Sequence, residues 1–115
     1  METISQITLH YRQIIQELLT RFASIPNLEE GLQDRLLFDE RHDSYAIISE
    51  GWSRHERVHD IVLHLEVING KIWIQADNTD WVIARQLESK GVPKSDIVLG
   101  FRAPSVRADT EYAVA

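Results

Sequence analysis

An α+β domain is what this sequence predicts: an N-terminal helix, a mainly antiparallel sheet of about four strands, a second helix and a C-terminal tail. Three observations carry the prediction. Apolar residues recur at spacings of three and four from Ile4 to Ile25, the pattern of an amphipathic helix. Beyond residue 31 the period changes to two, as on half-buried strands. Between Ile61 and Asp77, two alternating runs flank Asn69-Gly70, the strongest short-range hairpin signal. A sheet and helices with one apolar face each are buried by stacking them in layers.

The first helix is built on Ile4, Ile7, Tyr11, Ile14, Leu18, Phe22 and Ile25, with Ile15 and Leu19 widening the stripe. Thr3 followed by Gln6 fits a capping box. Pro26 ends the run, because the residue before a proline is pushed out of the α region. The polar face carries both Glu17 and Arg21, which is not the row of cations of a membrane-surface helix. Asn27 to Gly31 is a loop. Arg35 to Asp39 and Tyr45 to Trp52 then read as strands, turning at Arg41-His42-Asp43.

The hairpin runs from Ile61 to Ile68, through Asn69-Gly70, to Lys71–Asp77. Its two-residue type I′ turn needs positive φ at both central positions and fixes a register. Residue 67 is expected opposite 72, 65 opposite 74, and 63 opposite 76. One face then carries Leu63, Leu65, Val67, Ile72, Ile74 and Ala76, all apolar. The other carries His64, Glu66, Trp73, Gln75 and Asp77, with His64 opposite Gln75 and Trp73 and Asp77 as its diagonal neighbours. Thr79 is placed to cap the second helix, which buries Ile83, Ala84 and Leu87 and stops at Gly91, with Pro93 beyond. Ser95 to Phe101 reads as a helical turn or a short strand, and Arg102 to Ala115 as an extended tail. No repeat, linker or low-complexity segment divides residues 1–115, which read as one domain.

Composition narrows the function classes. Hydrophobic residues at 43% and charged residues at 26% suit a soluble globular protein. No apolar run approaches the roughly 18 residues of a bilayer span. The start METISQITLHYRQ lacks the basic and apolar regions of a signal peptide, so a cytoplasmic location with no membrane association is expected. There is no cysteine, which removes disulfides, thiolate nucleophiles and thiolate zinc ligands. The net charge is −6, from 12 Lys and Arg against 18 Asp and Glu. The cations are scattered singly, whereas a DNA surface clusters them to displace phosphate counterions. Strong direct nucleic-acid binding is therefore not expected, and the acidity suits a basic protein partner.

One motif invites a sharper reading. His55-Glu56-Arg57-Val58-His59 fits H-E-x-x-H, which on a helix holds zinc with two histidines and uses the glutamate as general base. Here His59 enters a segment of period two, and in an extended chain residues four apart lie about 13 Å from each other. Zinc needs its ligand atoms about 2 Å away, so the match is read as accidental. Glu88-Ser89-Lys90 fits a nuclease fragment but falls on the second helix, where a nuclease core needs a strand. Ser53 and Ser95 stand in no nucleophile elbow, and no glycine-rich phosphate loop exists. No catalytic residue, metal site or cofactor is expected.

The polar hairpin face is the candidate binding surface. A large aromatic beside satisfied polar groups has the composition of a contact hot spot, which singles out His64, Glu66, Trp73, Gln75 and Asp77 as a partner or ligand face. Trp52, Trp73 and Trp81 fall at positions the core does not need. They are the interface candidates for a homo-oligomer, most simply a two-fold dimer.

At the hairpin the residues also carry a resemblance. Gly51-Trp52, then VLHLEVINGKIWIQADNT (62–79), then GVPKSDIVLGFRAPSVRADTEYAVA (91–115) closely resemble the XisI family, small cyanobacterial proteins called fdxN element excision controlling factors. FDERHDSYAIISEGW (38–52) and the leading helix fit as well, so the likeness covers nearly the whole chain. Two departures stand out. Members often read D-G-T-E where this chain has Asp77-Asn78-Thr79-Asp80, and Trp81 replaces a smaller polar residue. Both fall at the start of the second helix. The resemblance implies an XisI-like fold and a role in programmed DNA excision, in which a site-specific recombinase cuts and XisH-like and XisI-like proteins exert control. It brings no catalytic residues with it. XisH-like proteins resemble nucleases, so the implied partner is an XisH-like protein, with the recombinase as a further one. The rival expectation is a small-molecule- or metal-dependent module that acts on nucleic acid through the polar hairpin face.

Overall fold

In the computed structural model, which describes residues 5–115, the chain starts on helix α1, Gln6–Ala23. Its N-cap is Ser5, whose hydroxyl oxygen accepts from the Thr8 N–H at 3.1 Å, one of the donors a helix start leaves unpaired. Thr3 and Ile4, the expected cap and first stripe residue, lie outside the described residues. The stripe buries Tyr11, Ile14, Ile15, Leu18 and Leu19, while Ile7 and Ile25 stay largely exposed. Ile25 lies past the helix end, and Ile7 lies over the Gly70 turn at the rim of the sheet. Arg12 is buried too. Its guanidinium meets Asp43 at 3.0 Å, and Asp43 also accepts the Tyr45 hydroxyl at 2.7 Å, which ties the first strand turn to the helix.

Five strands follow, not four: β1 (Leu32–Asp39), β2 (Ser44–Ser53), β3 (Glu56–Ile68), β4 (Lys71–Asp77) and β5 (Ile97–Leu99), in that order across the sheet. The first four form an antiparallel meander, and β5 joins β4 in parallel. A parallel neighbour needs a crossover, which runs through helix α2, Ile83–Ser89. The Ser95–Phe101 stretch contains part of both expected forms, a 3₁₀ turn at Lys94–Asp96 followed directly by β5. α1 packs across β1, β2 and β3 and touches α2. Both helices thus cover one face, and one hydrophobic cluster joins them to the sheet.

Asn69 and Gly70 take φ 51 and 76, the type I′ signature. Val67 pairs with Ile72 and Leu65 with Ile74, as the turn dictates. The third expected pair fails. The register shifts between His64 and Leu65, so that His64 pairs with Ala76 and Leu63 with Asp77. The shift is a β-bulge that leaves Gln75 without a partner. It moves Ala76 to the His64 side of the sheet and turns Asp77 to the helix side. His64 is therefore not opposite Gln75, and Asp77 does not belong to the polar face.

The bulge has a reason in the next element. Asp77 Oδ2 accepts the Ile83 N–H at 2.8 Å, and Oδ1 accepts the Thr79 N–H and hydroxyl at 2.9 and 2.6 Å. Asp77, and not Thr79, is thus the residue that takes a free helical donor. The N-cap position itself is Val82, with φ 54 and no side-chain cap. Gly91, at φ 94, ends this segment as expected, its N–H meeting the Glu88 carbonyl at 2.9 Å. The stretch after Arg102 is not simply extended. It forms a short helix α3, Pro104–Arg107, and returns so that Ala113 bridges Val98 on β5.

Candidate partner-binding surfaces

The face of the sheet away from the helices holds most of the expected polar set, and its members bond to one another. Ser44 Oγ and His64 Nε2 lie 2.8 Å apart, and the Gln75 amide donates to Glu66 at 3.0 Å. Trp73, in register with Glu66, is half-buried. The Arg107 guanidinium sits 5.0 Å from the centre of its ring, close enough for a cation–π contact. Arg107 also donates to the carbonyls of Leu99, Arg102, Gly100 and Val114. One cation therefore fastens the C-terminal segment over Trp73, and nothing in the local pattern around residue 107 announces it.

The structure separates the three tryptophans. Trp52 is 58% exposed on the open face, with the Arg57 guanidinium 5.9 Å from its ring centre. Trp73 lies on the same face under the tail. Trp81 is on the helix side, half-buried against Phe22, with ring centres 5.4 Å apart. Farther along the open face, Arg35, Leu37, Ile48, Glu50 and His59 line a cavity of about 200 Å³. The Arg35 guanidinium, 2.9 Å from Glu50, holds that carboxyl below its usual range. Leu37 and Ile61 remain about half exposed.

On the helix side, sequence reasoning missed a second surface. Asp34 pairs with Ser49, and Ser49 with Asp60, so two carboxylates flank a serine in one row across β1, β2 and β3. The row lies in line with apolar positions, since Leu36 and Ile47 are the next pair on that face. The available signal was a break in alternation: Leu32, Asp34, Leu36 and Phe38 share one face, and only Asp34 is polar. Phe22, Ile25, Trp81 and Asp80 complete a cavity of about 540 Å³ around Asp34 and Ser49.

His55 sits in the turn between β2 and β3, and His59 lies on β3 opposite Glu50, the extended geometry that keeps the two rings from sharing an ion. Among the described residues, no group of three His, Cys, Asp or Glu side chains is arranged to hold a metal. Glu88 accepts the Tyr112 hydroxyl at 2.8 Å, and Lys90 pairs with Glu17 at 3.1 Å, so the Glu88–Lys90 fragment serves helix packing. No helix among the described residues is long and apolar enough to cross a membrane.

Against known proteins, residues 1–114 match the family model described as XisI protein. The chain is similar to the crystal structure of fdxN element excision controlling factor XisI from Anabaena variabilis ATCC 29413. The two are 40% identical over 96% of this chain and 100% of that one, with a TM-score of 0.83. A crystal structure of a XisI-like protein from the same organism is 35% identical, covering 94% of this chain and 99% of that one, with a TM-score of 0.89. No curated protein matches the chain.

Proposed function

The chain belongs to the XisI family, and on that premise we propose that it is a non-catalytic accessory factor controlling programmed, site-specific DNA excision. It acts in the cytoplasm through a protein partner rather than by binding DNA alone. The observation that carries this reading is the likeness, at 40% identity and over nearly the whole chain, to a protein named as an excision controlling factor. An XisH-like, nuclease-like protein is the partner, with a site-specific recombinase as a further one. The surface chemistry supports a protein partner. The chain carries a net charge of −6, which repels phosphate and draws a basic surface. Leu37, Trp52 and Ile61 stand exposed on the open face of the sheet, where apolar side chains favour contact.

The chain also forms a two-fold homodimer in this reading, since one patch used twice closes the assembly. Co-expression with an XisH-like protein tests the partner role: a stable complex is expected, and separate elution of the two chains overturns it. Light scattering tests the dimer, with a mass twice that of the 13.3 kDa chain expected.

A further inference from the structure

Strand β3 outruns its neighbour. β4 ends at Asp77, opposite Leu63, while β3 reaches back to Glu56 with only β2 beside it. Asn78 closes the gap at one point, donating its backbone N–H to the Val62 carbonyl and its side-chain amide to the Ile61 carbonyl, both at 2.9 Å. From Glu56 to Asp60 the far edge of β3 has no strand beside it among the described residues. An unpaired edge is a template for an added strand.

Space for that strand is already open. The cavity at Asp34, Trp81 and Asp80 adjoins a second one of about 590 Å³ along Val58–Val62, the two sharing Ser49, Val62 and Asn78. Neither is lined by a lysine or an arginine. Among the described residues, the ion pairs leave out Asp34, Asp60 and Asp80. The edge and the cavities make the surface, and these carboxylates select the charge of what enters. Beside the Trp81 ring, the cation that both stacks and bonds carboxylates is a guanidinium. Successive side chains of a strand point to opposite faces. On the other face the same edge presents His59 and Ile61, the latter 47% exposed.

We infer that the β3 edge and this groove take an extended segment of a protein partner in which arginines alternate with apolar residues. The segment pairs with β3 along residues 56–60. Its arginines enter among Asp34, Asp60, Asp80 and Trp81, and its apolar side chains lie beside Ile61. The inference rests on the reading of the chain as a partner-binding accessory factor.

The test titrates the full chain with the peptide Ac-RVRLRV-NH2, following tryptophan fluorescence and amide hydrogen exchange. Saturable quenching that is lost in Trp81→Phe, with slowed exchange at residues 57–61, is expected. Binding should weaken at least tenfold in the Asp34→Asn/Asp80→Asn double variant, whose unchanged melting temperature shows that it folds. Ac-EVELEV-NH2 should not bind, and spermidine should compete at least tenfold less effectively than the peptide. Equal binding to the double variant, protection at other strands, or spermidine competing as well as the peptide overturns the inference. Co-purification separates it from the premise. An XisH-like protein captured equally by the parent chain and the double variant leaves the accessory role standing and overturns the groove. Peptide binding at residues 57–61 without capture of that protein supports the groove and overturns the accessory role.

Discussion

The guanidinium of Arg107 lies 5.0 Å from the centre of the Trp73 ring, and its nitrogens reach carbonyls on both the β5 side and the tail side of that ring. Arg107→Ala is expected to cost about 2–3 kcal/mol, since several charge-assisted bonds and a cation–π contact are lost together. Arg107→Lys should recover little, because a lysine offers no planar fork. Urea unfolding gives the stability. A red shift of Trp73 emission, isolated in a Trp52→Phe/Trp81→Phe background, reports release of the tail.

Asp77 does the capping work expected of Thr79. Asp77→Ala should therefore destabilise by about 1–2 kcal/mol, in the range of a lost helix cap. Asp77→Asn should cost less, because an amide oxygen still accepts from the Ile83 N–H. Thr79→Ala should be the mildest of the three. Thermal melts that rank Thr79→Ala as the worst would contradict the geometry.

The core and the turns give a graded pair of tests. Leu65 is fully buried, and Leu65→Ala should cost roughly 2–5 kcal/mol through lost burial and a cavity, with little change in the denaturant slope. Gly51 and Gly91 both have positive φ, but a Cβ at Gly51 would lie 1.9 Å from the Gly31 carbonyl oxygen, while one at Gly91 meets nothing within 4 Å. Gly91→Ala should cost about 1–2 kcal/mol of backbone strain. Gly51→Ala should be far worse, because one hairpin backbone must move off the other.

Alkaline pH should unfold the protein. Tyr11, Tyr45 and Tyr112, all the tyrosines of the chain, donate their hydroxyls to Asp96, Asp43 and Glu88 respectively. Burial raises all three above the ordinary tyrosine range, reinforced by the neighbouring carboxylate, and Tyr112 reaches about 12. The native state thus keeps protons that the unfolded chain releases above about pH 10. This contribution to stability is complete below pH 10 and is lost as pH rises through the native values. Phenolate absorbance should rise together with the loss of circular dichroism; tyrosines that titrate near pH 10 in a folded chain would refute this.

The parts that sequence reasoning reached were those set by neighbours in the chain. Asn69-Gly70 dictates its own turn and the two pairs next to it, and the stripe of α1 needs no partner to be seen. The register failed at Gln75, where Asp77 must swing to the helix side to reach Ile83, a demand that arises only in the folded chain. β1 was read short because Asp34 interrupts its apolar face. The hairpin strand was begun at Ile61, short of its start at Glu56, since an edge strand with one free side needs no clean alternation. Of the three tryptophans read as unneeded by the core, Trp52 stands exposed while Trp81 packs against the core beside Phe22; Trp73 met Arg107, thirty-odd residues away, and no local pattern encodes that meeting. His64 and Glu66 kept their face, yet their bonds to Ser44 and Gln75 satisfy them internally.

The way the strands are joined also sets an order of assembly. From β1 to β4 each strand pairs with the one just completed, so these contacts are local and close early. β5 instead pairs with β4 across the whole of α2. A chain still being synthesised therefore carries a finished meander whose β4 edge is bare, an invitation to pair with another nascent chain. That risk ends only when Ile97–Leu99 docks and Arg107 closes over Trp73. Of the five strands β5 is thus the last to arrive, and with the segment that follows it the one that covers the β4 edge.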